Sequence, residues 1–185
     1  MRIISGSAKG TKLNTISEKI TRPTLDRIKE PMFSIIQNNI VNATVLDLFA
    51  GSGALGLESL SRGATIAYAC DKSYKAIKII KENAVKTRLE DKICIINKDY
   101  LSAINQLKDI KFDLIFIDPP YEANIGVDSI YHIYNNNMIN DNGIIILETD
   151  QPEREVEQLK KIKGLEIKNT RKYGRVTLLF IEGRG

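Results

Sequence analysis

The chain has no tryptophan, a single histidine (His132), two cysteines (Cys70 and Cys94) and no apolar run near the roughly 20 residues that span a bilayer. One histidine and no C-x-x-C pair argue against a zinc site, so no metal is expected. Both cysteines lie in apolar, strand-like runs, which predicts buried free thiols in a reducing cytoplasm. No signal-peptide h-region follows Met1, so neither a secretory leader nor a membrane partner is expected. Low-complexity tracts and internal repeats are also missing. With 185 residues, 43% hydrophobic and 27% charged, the chain predicts one ordered globular domain with at most a small appendage, working as a monomer.

The charge is uneven. Residues 1–31 hold seven basic side chains (Arg2, Lys9, Lys12, Lys19, Arg22, Arg27, Lys29) and three acidic ones, a surplus equal to the whole-chain net charge of +4. A second cluster, "KNTRKYGR" (168–175), carries four basic residues and no acid. Basic segments flanking a neutral body suit a polyanion, with RNA or DNA leading; a merely solvated surface is the alternative.

From Ala43 onward short apolar runs alternate with amphipathic stretches. Strands are expected at 44–49, 65–71, 92–99, 112–118 and 143–149, with helices between them. Ser73 is the expected cap of a helix whose Ala76, Ile77, Ile80 and Ala84 share one face. "NDNG" (140–143) reads as a turn, and the last two apolar runs as an antiparallel pair. Such alternation predicts an α/β fold, a mostly parallel sheet with helices on both faces. The first 42 residues read as a separate element: a basic hairpin around Gly6 to Gly10, then a helix that Pro31 would kink or restart.

"GSGALG" (51–56) matches G-x-G-x-x-G, the dinucleotide fingerprint, but that pattern alone is weak. Four acidic positions fall beyond four expected strand ends: Asp47, Asp71, Asp99 and Asp118. Each has a plainer explanation as a helix cap or dipole partner. Asp71 follows Gly51 by 20 residues, the spacing at which a carboxylate takes ribose hydroxyls in NAD sites. Asp47 fits NAD poorly, because it sets a negative charge where a pyrophosphate would lie. S-adenosylmethionine fits better, with an ammonium for Asp47, a ribose for Asp71, and an adenine for Asp99 with Tyr100 or Lys72 beside the ring.

"DPPY" (118–121) supplies the reaction. The lone pair of an exocyclic amine on guanine or adenine is delocalised into the ring, and two acceptors on its N–H groups pull the nitrogen toward tetrahedral geometry. Asp118 offers a carboxylate and Pro119 a carbonyl, Pro119 and Pro120 stiffen the backbone, and Tyr121 offers a face for a flipped base. The plainer reading is a proline-stiffened turn.

Residues 43–181 resemble the class I S-adenosylmethionine-dependent methyltransferases. "MRIISGSAKGTKL", "TRPTLDRIKEPMFSII" and "LDLFAGSGALGLESLSRGA" more narrowly resemble the RsmD family, which methylates a guanine N2 in bacterial small-subunit (16S) rRNA. The resemblance implies a Rossmann-like sheet of seven strands with an antiparallel C-terminal hairpin and a small N-terminal hairpin/helix extension. It assigns Asp47, Phe49, Gly51, Ser52 and Gly53 to the methionine end of the cofactor, Asp71 and Lys72 to the ribose, and Asp99 and Tyr100 to the adenine. Asp118, Pro119, Pro120 and Tyr121 become the catalytic motif, and Arg22, Thr24 and Arg27 border the substrate entrance. Residues 1–42, with Arg2, Lys9 and Lys12, are the RNA-binding candidate and 43–185 the catalytic domain; 16S rRNA or an assembly particle is the expected partner. An adenine-N6 methyltransferase, a non-catalytic RNA-binding factor and a NAD oxidoreductase are the competing readings. The first fits because the four-residue motif also serves adenine.

Overall fold

A computed structural model of the chain describes residues 1–15, 23–120 and 125–183, with 23–26 described by backbone alone. Seven strands form one sheet: β1 (Thr44–Asp47), β2 (Ile66–Cys70), β3 (Ile93–Ile96), β4 (Phe112–Ile117), β5 (Ile139–Thr149), β6 (Leu165–Tyr173) and β7 (Val176–Gly183). Six helices accompany them: α1 (Pro23–Ile35), α2 (Ala54–Ser61), α3 (Tyr74–Thr87), α4 (Tyr100–Leu107), α5 (Gly126–Asn135) and α6 (Pro152–Leu159). The spatial order is β3-β2-β1-β4-β5-β7-β6. The first five strands pair in parallel, and β7 runs antiparallel to both β5 and β6. This is the expected fold, and its order reverses between β1 and β4, where ligands of open α/β sheets bind.

Alternation along the strands builds two apolar layers. Val45, Leu114, Phe116, Ile144 and Ile146 face one side, where α1, α2 and α3 cover them through Ile28, Met32, Phe33, Leu57, Ile77 and Ile80. Leu46, Ile115, Ile117, Ile145 and Leu147 face the other, under α4, α5 and α6 through Ile104, Ile130, Ile133 and Leu159. Each fully buried aliphatic chain stabilises the fold by about 1.5–3 kcal/mol relative to exposure. The α3 periodicity is as expected: Ala76, Ile77, Ile80 and Ala84 are all buried, and the Ser73 hydroxyl accepts from the Ala76 amide at 3.4 Å.

The N-terminal arm forms the expected hairpin, with an antiparallel bridge between Arg2 and Lys12. It docks on α2. The Glu58 carboxylate, completely buried, accepts from the Ile4 and Ser5 amides at 2.8 and 3.0 Å and pairs with Lys29 at 3.1 Å and Arg62 at 2.8 Å. Gly6 (φ +83°) approaches so closely that a Cβ there would lie 1.7 Å from the Ser61 carbonyl oxygen, so no other residue fits. Ile3, Ala8 and Leu13 join the same apolar layer as α1.

Three local expectations change. Cys94 is exposed whereas Cys70 is buried; β3 is the edge strand of the sheet, and helices do not cover it as they cover the centre. The helix α1 does not restart at Pro31 but continues through it to Ile35. There the missing amide costs only the bond to the carbonyl of Arg27, an exposed residue. "NDNG" lies inside β5 rather than before it. Phe112 pairs with Ile139 and Leu114 with Ile144, so the turn residues make an excursion within the strand, with Asn142 at φ +64°.

Candidate active site

Asp47 closes β1 with a carboxylate that is 2% exposed. It accepts one hydrogen bond, from the Gly56 amide at 3.2 Å. Burial pushes its pKa up to about 7, the Gly56 bond opposes that, and the nearby Asp71 charge adds to it. A carboxyl kept protonated by desolvation ionises once a cation arrives beside it, so this position can receive an ammonium.

The glycine loop is tied to the protein through its own amides. The Gly51 amide donates to Asp71 Oδ2 at 2.9 Å, Gly53 to the Ala50 carbonyl at 2.7 Å, and Gly56 to Asp47. All three glycine amides thus serve protein acceptors and hold the loop in shape. Gly51 and Gly53 take positive φ (+55° and +77°), and a Cβ on Gly51 would meet no atom within 4 Å, so the loop faces open space. The buried Asp47 carboxylate beside the loop fits a positively charged, phosphate-free ligand, as S-adenosylmethionine is, better than the pyrophosphate of NAD.

A cavity of about 150 Å³ opens beside the loop. Asp47, Phe49, Gly51, Ser52 and Asp118 line it, so it brings four of the five expected methionine-end residues together with the first residue of "DPPY"; Gly53 lies outside the lining. Asp71, Lys72, Asp99 and Tyr100 lie outside its lining, on the β2–β3 side. Asp71 is clamped, since its Oδ1 also accepts from the Ser73 amide at 2.8 Å; each oxygen retains a second acceptor site. Lys72 is exposed. Asp99 is both exposed and the N-cap of α4, accepting from Leu101 and Ser102, with its pKa lowered chiefly by the hydrogen bond from Ser102. Tyr100 stacks near Phe49, ring centroids 6.0 Å apart, and donates its hydroxyl to Asp128 at 2.7 Å. Burial and that carboxylate push the phenol up to about 12.

Pro119 ends the pairing of β4, is itself buried, and is followed by an exposed Pro120. Gly126 backs it: a Cβ at Gly126 would stand 3.6 Å from Pro119 Cγ and 2.9 Å from Leu147 Cδ1. Tyr121 and Arg22 lie outside the described residues, as does the side chain of Thr24. Arg2, Lys9, Lys12 and Arg27 are all exposed.

A family model described as Conserved hypothetical protein 95 matches residues 1–182. The Ribosomal RNA small subunit methyltransferase D of Haemophilus influenzae is 33% identical over 162 residues, covering 82% of this chain and 79% of that one. The Escherichia coli (strain K12) protein of the same name is 33% identical over 150 residues, covering 81% and 75%. The chain belongs to the RsmD family. A solved Escherichia coli chain, yhhF, superposes with a TM-score of 0.86 at 27% identity, covering 100% of this RsmD-family chain and 98% of that one.

Four contributors to the site escape sequence reasoning. Lys29, counted there among the basic residues, is 2% exposed and lines the cavity, its Nζ donating to the Arg2 carbonyl. Asn83, fully buried on α3, donates to the Ser52 carbonyl at 2.9 Å and the Asn14 carbonyl at 3.0 Å, tying the glycine loop to the base of the arm. Asn97 donates to the carbonyls of Asp71 and Lys72 at 2.9 and 3.1 Å. Glu148, 8% exposed at the end of β5, lines the same cavity as Asp118. An amide or carboxylate with partners far along the chain carries no local signal; only Glu148, an acid near a strand end, repeats the pattern that marked Asp47 and Asp118.

Proposed function

We propose that this chain is an S-adenosylmethionine-dependent methyltransferase that modifies the exocyclic N2 amine of a guanine in small-subunit (16S) rRNA, in the cytoplasm. The observation that carries the reading is that Asp47 and Asp118, from neighbouring strands, line one cavity. The curated relatives carry the name of ribosomal RNA small subunit methyltransferases, which supports the substrate class.

S-adenosylmethionine, when bound, supplies an electrophilic methyl group on a sulfonium. Asp47 holds the ammonium end, with Phe49, Gly51, Ser52 and Gly53 shaping the space around it. Asp71 and Lys72 serve the ribose, and Asp99 and Tyr100 the adenine. On the substrate side Asp118 and the Pro119 carbonyl accept the two N–H groups of the guanine amine, which frees its lone pair for in-line attack. Asp118 is then the neighbouring base for the proton that N2 sheds. Pro120 keeps the backbone in one shape, and Tyr121 gives the extruded base a stacking face. Positioning and fixed charge do most of the work in such a transfer.

Residues 43–185 act as the catalytic domain and residues 1–42 as its RNA-binding extension. Arg2, Lys9, Lys12 and Arg27 are exposed there, and Arg22 and Thr24 belong to the same segment. The test is incubation of the protein with methyl-labelled cofactor and small-subunit particles from cells lacking the enzyme. Label is expected in the RNA; a cofactor-binding preparation that transfers none to particles or to naked rRNA overturns the reading.

A further inference from the structure

Asp118 and Glu148 sit side by side. β4 and β5 are parallel neighbours whose pairing ends at Ile117 with Leu147, and Asp118 and Glu148 are the next residue on each. Adjacent strands lie about 4.8 Å apart. Residues 114 and 116 on β4 and 144 and 146 on β5 face the layer under α1, so alternation turns Asp118 and Glu148 to that same side. Both line the cavity that also holds Asp47, and Glu148 is more than nine-tenths buried. One carboxylate suffices for the amine. The second is adjacent to it, inside the cavity rather than at its rim.

Guanine presents two donors side by side on its Watson–Crick edge, N1–H and the N2 amine. Adenine presents an amine beside N1 as a bare acceptor. A carboxylate next to the one that takes the amine therefore pairs with guanine and meets a lone pair on adenine.

We propose that Glu148 accepts the N1–H of the target guanine and is the specificity-determining residue that selects guanine over bases lacking that proton. This rests on the methyl-transfer reading above. Asp118 addresses the reacting nitrogen, Glu148 the ring nitrogen beside it, and two parallel strands hold the two carboxylates in register with two adjacent donors. A site that sets an acceptor where the N1–H of the substrate arrives discriminates against bases that present a lone pair there.

The experiment uses small-subunit particles reconstituted with rRNA carrying either guanine or 2-aminopurine at the position that the wild-type protein labels. 2-Aminopurine keeps the exocyclic 2-amine and loses N1–H. Wild type is expected to prefer guanine strongly in kcat/KM, and Glu148→Gln, whose amide can donate to N1, to lower the guanine-to-2-aminopurine ratio at least about tenfold. Glu148→Asp, which keeps the carboxylate, should retain guanine preference. The ratio is measured on one preparation, so loss of folded protein or of cofactor affinity cancels. An unchanged ratio in Glu148→Gln, or an equal loss on both RNAs, overturns the proposal while leaving methyl transfer intact. Failure of the wild type to label any RNA overturns the functional reading and this proposal with it.

Discussion

On β1, β4 and β5 consecutive residues go to opposite faces of the sheet, and the two sets part company at the carboxyl ends. Under α4, α5 and α6 the series Leu46–Leu48, Ile115–Ile117 and Ile145–Leu147 is apolar and buried, with β5 closing on a buried, uncharged Thr149. Under α1 the series Val45–Asp47, Leu114–Phe116–Asp118 and Ile144–Ile146–Glu148 each finish in a carboxylate. The three strands are the same; their cover differs. The first face is sealed by helices, while on the second the N-terminal arm and α1 leave a cavity whose walls include Met1, Lys29 and Met32. The three carboxylates thus gather on one face, and the arm is part of the enclosure of their cavity.

The sharpest way to break this contrast is Asp118→Ala. It should lower kcat by roughly 10²- to 10⁴-fold while cofactor affinity stays put, read by single-turnover methyl transfer and calorimetry. Next comes Glu58→Ala, which leaves Lys29 buried without its ion-pair partner and strips the Ile4 and Ser5 amides of their acceptor. Urea unfolding should show a loss of about 3–5 kcal/mol, with activity falling faster than the folded fraction because the cavity wall loosens. Ile130→Ala on the sealed face is the control: about 2–5 kcal/mol of stability lost, with kcat of the folded protein unchanged. If both variants damage kcat per folded molecule alike, the two faces are not functionally distinct.

Asp47 gives a pH signature. Its carboxyl is raised to about 7 from 3.8, so the free protein holds a proton there that the unfolded chain has lost, and native stability falls as pH rises from about 4 to about 7. A bound ammonium needs the ionised form, so cofactor affinity should climb as pH rises through about 6 to 7. Asp47→Asn should flatten that slope and weaken binding roughly 10- to 100-fold by calorimetry. The smallest effect concerns the arm: Lys9→Gln with Lys12→Gln should reduce the salt dependence of RNA binding by a slope of about 1.4–1.8, with little change in the methyl-transfer step.

Much of this was legible in the residues. The strand and helix alternation, the C-terminal hairpin and the acids at strand ends follow from periodicities of 2 and 3.6, which are local. What was hidden depends on pairing between distant segments. Glu148 looked like the polar end of "GIIILET" until β5 proved to lie beside β4. Lys29 read as surface charge because its partner, Glu58, is supplied by another helix. Cys94 read as buried because an apolar run does not reveal that its strand is at an edge. The glycine loop is ambiguous for the same reason: its Gly51 and Gly56 amides are committed to Asp71 and Asp47, and those bonds link the ends of β1 and β2.

The most direct measurement is nucleoside mass spectrometry of small-subunit rRNA after incubation of unmodified particles with the protein and S-adenosylmethionine. The account predicts one new N2-methylguanosine, appearing with wild type and not with Asp118→Ala. An N6-methyladenosine instead, or the same yield of N2-methylguanosine from Asp118→Ala, would contradict it.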